Sequence, residues 1–504
     1  MSEVIKDIKT EGNSQNETSS YRSIFKATSL FGGVQVYNII IGIIRQKFVA
    51  VLLGTEGMGI QGLFTSGTQL IQGISSMGLS SSAVRDVSEA NGTGDMHRVS
   101  RTVTVLRRLV WMTGLLGMIA TICLSPVLSK SLFGNYDYTI PFIFLSVTLL
   151  IDQISKGQSV LLQGMRRLRH LAQSSAIGVT VGLLVSVPLY YLLGIKGIVP
   201  TLILNSITSL LLSWYFASKV KIEKVKVTNK ETFHEGRNML KMGIAMSATG
   251  VFSTLVVYIL RAFLSYKGGV EEVGLYTAGS VILTTYIGMI FTALGTDFYP
   301  RLAAVNTDND KCREVINQQG EIALLIIGPI VMGCIIFMPF LIRLIYSEAF
   351  MPACNFILWA VPGVMLRAAS VVVAYIFLAK AEAKLYIIND VSSAVYGLAL
   401  RIGGYYLWGL DGLGIAYVLL YVFYTLQVYL IARHRYNFQF SAPFLKVFGI
   451  QMVFIVAGFC LVHLGLPVWV YVPLVLLFLG CGGYSLRELD KRMDLRAIIQ
   501  KRKK

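Results

Sequence analysis

Long apolar runs separated by short polar stretches dominate the chain. Crossing a hydrocarbon core of ~30 Å takes ~20 mostly apolar helical residues. By that measure the pattern predicts fourteen spans, at 28–50, 58–80, 103–125, 138–160, 172–193, 197–218, 241–264, 275–297, 321–345, 353–379, 386–408, 411–433, 445–465 and 467–486. The predicted fold class is all-α integral membrane, with about 14 transmembrane helices. Residues 1–22, with the polar run Glu11-Gly-Asn-Ser-Gln-Asn-Glu-Thr-Ser-Ser20, lack the apolar core of a cleavable signal and read as a disordered cytoplasmic tail. Trp111, Trp408 and Trp469 fall near span ends, where indole rings anchor in the interface.

Composition agrees with this pattern. Of 504 residues 54% are hydrophobic and 14% charged, with a mean hydropathy of +0.64. A soluble chain carries about a quarter charged residues, so a soluble enzyme is excluded. The net charge of +18 would suit a nucleic-acid binder if it were clustered. It is distributed by topology instead. With the N-terminus inside, 35 of the 45 lysines and arginines lie in inward segments and only Lys130, Lys196 and Lys267 in outward loops. Basic loops resist translocation, so both termini are expected in the cytoplasm, and the tail Lys501-Arg-Lys-Lys504 adds contact with anionic lipid. Nucleic acid is not an expected partner. The six cysteines are widely spaced without CxxC or zinc spacing, which implies neither a disulfide framework nor a metal site.

An internal repeat divides the chain. At an offset of 215, Tyr190-Tyr-Leu-Leu-Gly-Ile-Lys-Gly197 lies on Tyr405-Tyr-Leu-Trp-Gly-Leu-Asp-Gly412 with five identities in eight, and within two residues the same offset lays Arg45 on Arg261 and Gly78 near Gly295. Two six-span lobes are expected, 24–218 and 241–433, joined by a cationic cytoplasmic linker at 219–240. Residues 445–486 add two spans outside the repeat, and 487–504 form a basic cytoplasmic tail. Because each lobe has an even number of spans, the copies share one topology, as in transporters built from parallel repeats.

Several segments carry a family resemblance: Leu53-Gly-Thr-Glu-Gly-Met-Gly-Ile60, Gly78-Leu-Ser-Ser-Ser-Ala-Val-Arg85, Leu132-Phe-Gly-Asn-Tyr-Asp-Tyr138, Leu162-Gln-Gly-Met-Arg-Arg167 and Ala379-Lys-Ala-Glu-Ala-Lys-Leu-Tyr386. By their order and spacing the chain, over about 24–433, resembles the Wzx-type O-antigen translocases, polysaccharide flippases of the multidrug/oligosaccharidyl-lipid/polysaccharide (MOP) exporter superfamily. The resemblance implies a MATE-like two-lobed fold. It implies translocation of an undecaprenyl-pyrophosphate-linked oligosaccharide across a bacterial inner membrane, with a polysaccharide polymerase and a chain-length regulator as candidate partners. The typical core of that type has twelve spans. Fourteen look more like the lipid II flippase branch, which keeps a peptidoglycan-precursor substrate as an alternative.

Seven basic residues fall inside spans: Arg45, Lys47, Lys156, Arg261, Arg343, Arg367 and Arg401. Each would cost ~2.5–3.5 kcal/mol at the centre of a lipid-facing helix, so most must face protein or water. Arg343 and Lys47 lie near outer span ends, where long side chains snorkel. Arg45, Arg261, Arg367 and Arg401 are the candidates for a cationic, substrate-binding cavity. Asp152 and Lys156, four residues apart on one helical face, form either a structural pair or an ion-coupling site. An interior richer in cations than acids suits a pyrophosphate and disfavours a multidrug/cation antiporter. A membrane polymerase or glycosyltransferase would want a long outward loop or an acid cluster. Asp308-Asn-Asp310 matches a DxD motif, but it sits in a short loop and is not read as catalytic. The chain is therefore expected to be a transporter and not an enzyme, without cofactor or metal. With no GxxxxGK[ST] sequence, ATP is not its direct energy source.

Overall fold

The computed structural model describes residues 2–223, 225–464 and 471–493, with side chains from Gly32 onward. Its α-helices, in chain order, are α1 (Ser2–Ser75), α2 (Leu79–Gly92), α3 (Met96–Phe133), α4 (Thr139–Gly164), α5 (Leu168–Leu193), α6 (Ile198–Ser218), α7 (Asn229–Val281), α8 (Ile287–Ala304), α9 (Asn309–Ile345), α10 (Pro352–Ala379), α11 (Ala383–Tyr436), α12 (Ala442–His463) and α13 (Tyr471–Met493). Among the described residues there is no strand. Helix α1 runs back to Ser2, through the segment expected to be a disordered tail. Extending a helix already nucleated by a span fixes one residue per hydrogen bond, far cheaper than starting one. Of the expected tail at 487–504, the first part completes α13, and 494–504 lie outside the described residues, as do 465–470 at the start of the last expected span.

Among the described residues ten helical runs are long and apolar enough to cross a membrane, against the fourteen spans expected. The two numbers differ because four runs, Gly32–Ser75, Leu168–Ser218, Asn229–Ala304 and Ala383–Tyr436, are 44 to 76 residues long and each contains a tight glycine break. At Gly54, Gly194, Gly269 and Gly409 φ lies between 56° and 82° while ψ is far from helical, a region that side chains bar to other residues. Each break falls between two expected spans. The breaks also carry the repeat: Gly54 and Gly269 stand 215 residues apart, as do Gly194 and Gly409. The same spacing links two helix ends. Arg166 and Ala381 both take positive φ, 54° and 56°. Behind them Arg167 N–H donates to Leu162 O at 2.8 Å and Glu382 N–H to Phe377 O at 3.0 Å, so α4 and α10 end on the same six-to-one hydrogen bond.

The chain forms two compact units, residues 1–53 with 64–254 and residues 54–63 with 255–504. The division falls inside α7, beyond the expected linker at 219–240. That linker is not free: Val220 and Val227 are buried with Val103, Leu109 and Leu161, and the first turns of α7 are tied to α3, where Arg101 pairs with Glu235 at 2.6 Å and Glu231 at 3.4 Å. In the first unit α4 packs on α3 and α6, and α5 on α6.

In the second unit α10 is buried on nearly every face, between α9 and α11, and its sequence is correspondingly apolar all round. The two helices beyond the repeat lie on α9. Gln451 of α12 donates to Ser485 Oγ of α13 at 2.7 Å and accepts from Cys481 Sγ at 3.0 Å, with its amide pressed on Gly328 of α9. Arg492 of α13 pairs with Glu321 of α9 at 2.8 Å. Buried polar contacts of this kind join helices where lipid supplies no hydrophobic drive.

Candidate functional site

Arg367 lies mid-way along α10, and its surroundings are the most developed of any basic residue in the spans. Its Nη1 donates to the Leu283 carbonyl at 3.2 Å and to Tyr417 Oη at 3.5 Å. The guanidinium carbon sits 4.6 Å from the ring centre of Phe291 and 6.0 Å from that of Tyr421. Leu283 belongs to a single π turn, Ile282–Tyr286, between α7 and α8. Such turns widen the helix by a residue and loosen carbonyls from the ladder, and they recur at functional sites. Among the described residues no carboxylate pairs with Arg367. The cation is held by carbonyl, phenol and ring faces alone, an arrangement that places the guanidinium without neutralising it.

The other candidates are placed differently. Arg261 of α7 donates from Nη1 to Gly62 O at 2.8 Å, and its Nε and the nearby Thr277 Oγ1 are buried without hydrogen-bond partners among the described residues. Close by, a Cβ on Gly59 would collide with the Val270 carbonyl, and one on Gly274 with the Thr55 carbonyl. Since 55 and 270, like 59 and 274, are 215 apart, two equivalent helical segments cross here backbone to backbone, with Arg261 against the crossing. Arg45 lies in the first unit, in a polar cavity of about 520 Å³ whose walls include Asn38, Ser159, Ser175, Asn205 and Ser209. Arg45 and Arg261 thus belong to separate compact units, each with its own polar surroundings. Arg401 is half-buried, and among the described residues it makes no side-chain hydrogen bond or ion pair. Arg343, near a span end, pairs with Glu348 at 2.9 Å on the surface.

Asp152 and Lys156 share a face of α4, but the carboxylate also faces Ser206 of α6, and Lys156 is exposed. No ion pair joins the two among the described residues. Beside them Ser155 bonds Ser209 and Ser213 of α6, both at 3.0 Å, so this is a polar seam within one unit. The DxD-like pair has a structural role. Asp308 caps α9, accepting from Asp310 N–H at 3.0 Å and Lys311 N–H at 3.1 Å, which holds its carboxyl below the usual range. Asp95 caps α3 in the same manner. No group of three or more potential metal ligands occurs among the described residues.

Sequence reasoning missed the wall around Arg367. Tyr417 and Tyr421, four residues apart, and Thr292 and Thr296, likewise, are polar faces in apolar helices, and that spacing was readable. What could not be read is that α8, α10 and α11 bring them to one arginine. Glu321 was missed as well, because its partner Arg492 lies 171 residues away.

The arrangement is that of a bundle of membrane-length helices, and comparison with known proteins places its fold. The fold matches an inward-facing multidrug-resistance MATE transporter of the MOP superfamily, with a TM-score of 0.65 and 15% identity over 81% of this chain and 98% of that one. It matches the lipid II flippase MurJ, in an inward closed conformation, with a TM-score of 0.65 and 13% identity over 92% and 99%. In sequence the chain is 23% identical over 379 residues to the lipid III flippase of Escherichia coli (strain K12), covering 73% of this chain and 88% of the relative. The chain therefore has the fold that these two solved structures share. Residues 48–355, more than half of the chain, match the model of the polysaccharide biosynthesis protein family, and the chain belongs to that family.

Proposed function

We propose that this protein is a flippase that moves a polyprenyl-pyrophosphate-linked oligosaccharide, an O-antigen or related polysaccharide repeat unit, from the cytoplasmic to the opposite leaflet of a bacterial inner membrane by alternating access. Family membership supports a role in polysaccharide synthesis, and the fold supports transport. The observation that carries the charge of the cargo is Arg367, a cation inside the membrane helices with neutral partners only. Holding such a charge away from water is unfavourable unless an anion completes it, and a pyrophosphate brings that anion. A cation antiporter would want an acid at this place. Arg45, Arg261 and Arg401 are the further contacts of the headgroup in this reading, and Asp152 with Lys156 remains the pair to test for ion coupling. The polyprenyl chain stays in lipid, and both termini face the cytoplasm.

The test is flipping of a fluorescent undecaprenyl-pyrophosphate oligosaccharide in proteoliposomes, at matched protein density. Arg45→Ala and Arg261→Ala are expected to lose most activity, and the lysine variants to retain part, since lysine keeps the charge without the planar fork. Wild-type protein that moves a cationic dye and leaves the pyrophosphate lipid unflipped would reject the reading. Wild-type rates in both alanine variants would remove those two residues from the site.

A further inference from the structure

Helix α8 along most of its length and the C-terminal half of α10 line an open pocket of about 430 Å³, and Arg367 is part of its wall. Only Nη1 of the guanidinium is engaged, by Leu283 O and Tyr417 Oη. Nε and Nη2 have no acceptor among the described residues. These two nitrogens form one edge of the planar fork, the geometry that accepts two oxygens of a phosphoryl or carboxylate group side by side. The guanidinium carbon lies 4.6 Å from the ring centre of Phe291, a cation–π contact that leaves the Nε–Nη2 edge without an acceptor. Gly288 lies beside that edge, where a Cβ would meet Nη2 at 3.8 Å, an ordinary contact distance.

The rest of the wall has a different chemistry. Thr292 donates its hydroxyl hydrogen to Gly288 O at 3.2 Å, and Thr296 to Thr292 O at 2.8 Å. With their hydrogens committed to the helix, both oxygens present lone pairs, and they suit a ligand rich in hydroxyl donors. Tyr375 leans over Gly295, where any side chain would collide with its hydroxyl, and its ring stands 6.3 Å from that of Tyr299 at 43°. An anion-binding edge, hydroxyl acceptors and two aromatic rings thus line one pocket.

The geometry points to this pocket as a headgroup subsite that takes a phosphoryl group on the Nε–Nη2 edge of Arg367 and the adjoining sugar against Thr292, Thr296, Tyr299 and Tyr375. The inference rests on the flippase reading and names where that cargo's phosphate and first sugar are held. Both ends of the pocket's helices, Ala304 and Ala379, belong to the side assigned to the cytoplasm, so this would be a loading site. A phosphate could come equally from the cargo or from a bulk phospholipid, and the inference commits to the cargo.

Native mass spectrometry of the purified full chain in detergent micelles separates these sources, with three probes: undecaprenyl pyrophosphate, undecaprenyl-pyrophosphate-linked N-acetylglucosamine and dioleoylphosphatidylglycerol. Arg367→Gln is expected to weaken both pyrophosphate lipids by about ten- to hundred-fold, the loss of a charge-assisted hydrogen bond, and to leave phosphatidylglycerol unchanged. Arg367→Lys should fall between. Thr296→Val keeps the cation and should weaken the sugar-bearing probe more than undecaprenyl pyrophosphate. Unchanged binding of all probes to Arg367→Gln overturns the subsite, as does an equal loss for phosphatidylglycerol, which would assign the pocket to bulk lipid. If Arg367→Gln fails to fold, Thr296→Val decides alone, and equal binding of the two pyrophosphate probes relative to wild type then overturns the inference. Wild-type protein that prefers phosphatidylglycerol to both pyrophosphate lipids would reject the flippase reading itself, a result distinct from failure of the subsite.

Discussion

Enlarging Gly59 or Gly274 should unlock the helix crossing that they share. A Cβ on Gly59 falls on the Val270 carbonyl oxygen and one on Gly274 on the Thr55 carbonyl oxygen, in both cases backbone that cannot rotate away. Restoring an ordinary separation of ~3.5 Å requires the two segments to part by more than about 1 Å. Overpacking of this kind costs ~1–3 kcal/mol, and the cost applies only to the state in which the segments cross. A transporter alternating between states of similar energy would therefore shift its population by roughly 5- to 150-fold away from this one. The crossing involves the residues just after the Gly54 and Gly269 breaks, which face the outer surface under the proposed topology with both termini in the cytoplasm. The perturbed state should expose that surface. The assay is the rate at which a single cysteine at Thr55, on the Gly274→Ala background, reacts with an impermeant thiol reagent added outside. A several-fold faster reaction than in the glycine parent, with slower flipping, is expected. Unchanged labelling in Gly274→Ala, and likewise for a cysteine at Val270 with Gly59→Ala, would refute the idea that this contact is specific to one state.

Topology can be checked directly. In intact cells, cysteines at Asn135 and Lys267 should label from outside, and ones at Thr93 and Lys230 should be protected; the reverse pattern would invert the assignment of sides. Gln451→Ala removes two buried hydrogen bonds between α12 and α13 and leaves a gap against Gly328, so the thermal unfolding midpoint in detergent should fall, by an amount consistent with ~1–3 kcal/mol for the partners left unsatisfied. A midpoint equal to wild type would mean that apolar packing alone fastens these helices. Asp308 has its carboxyl lowered, chiefly by the Lys311 backbone N–H that it accepts. Its charged form therefore stabilises the fold above the unfolded pKa of ~3.9, and this contribution is lost as pH falls through the lower native value. Asp308→Asn should remove that part of the acid sensitivity, and a stability profile unchanged from wild type between about pH 5 and 2 would remove the cap's charge from the account.

The sequence alone determined those properties that depend on one segment at a time. Length and apolarity identify spans because the bilayer imposes a fixed thickness, and basic residues assign sides because translocating them is unfavourable. The repeat was legible in Tyr190–Gly197 against Tyr405–Gly412, since both copies need glycine at the same tight break. For the same reason the lone arginines could be listed: a cation inside an apolar run stands out without knowledge of its neighbours.

What these arginines contact was decided by packing over long separations. Arg367 meets Leu283 and Tyr417, 84 and 50 residues away, and Arg261 meets Gly62 across 199. No local pattern encodes those meetings. They depend on which faces of α7, α8, α10 and α11 turn together, and a π turn of a single extra residue at 282–286 is enough to rotate one of those faces. The joining of α12 and α13 to α9 had the same origin, through Gln451 and the Glu321–Arg492 pair. Within an apolar helix any polar residue can point to lipid, to a neighbour or to a cavity, and only the tertiary arrangement makes one of these the lowest in free energy.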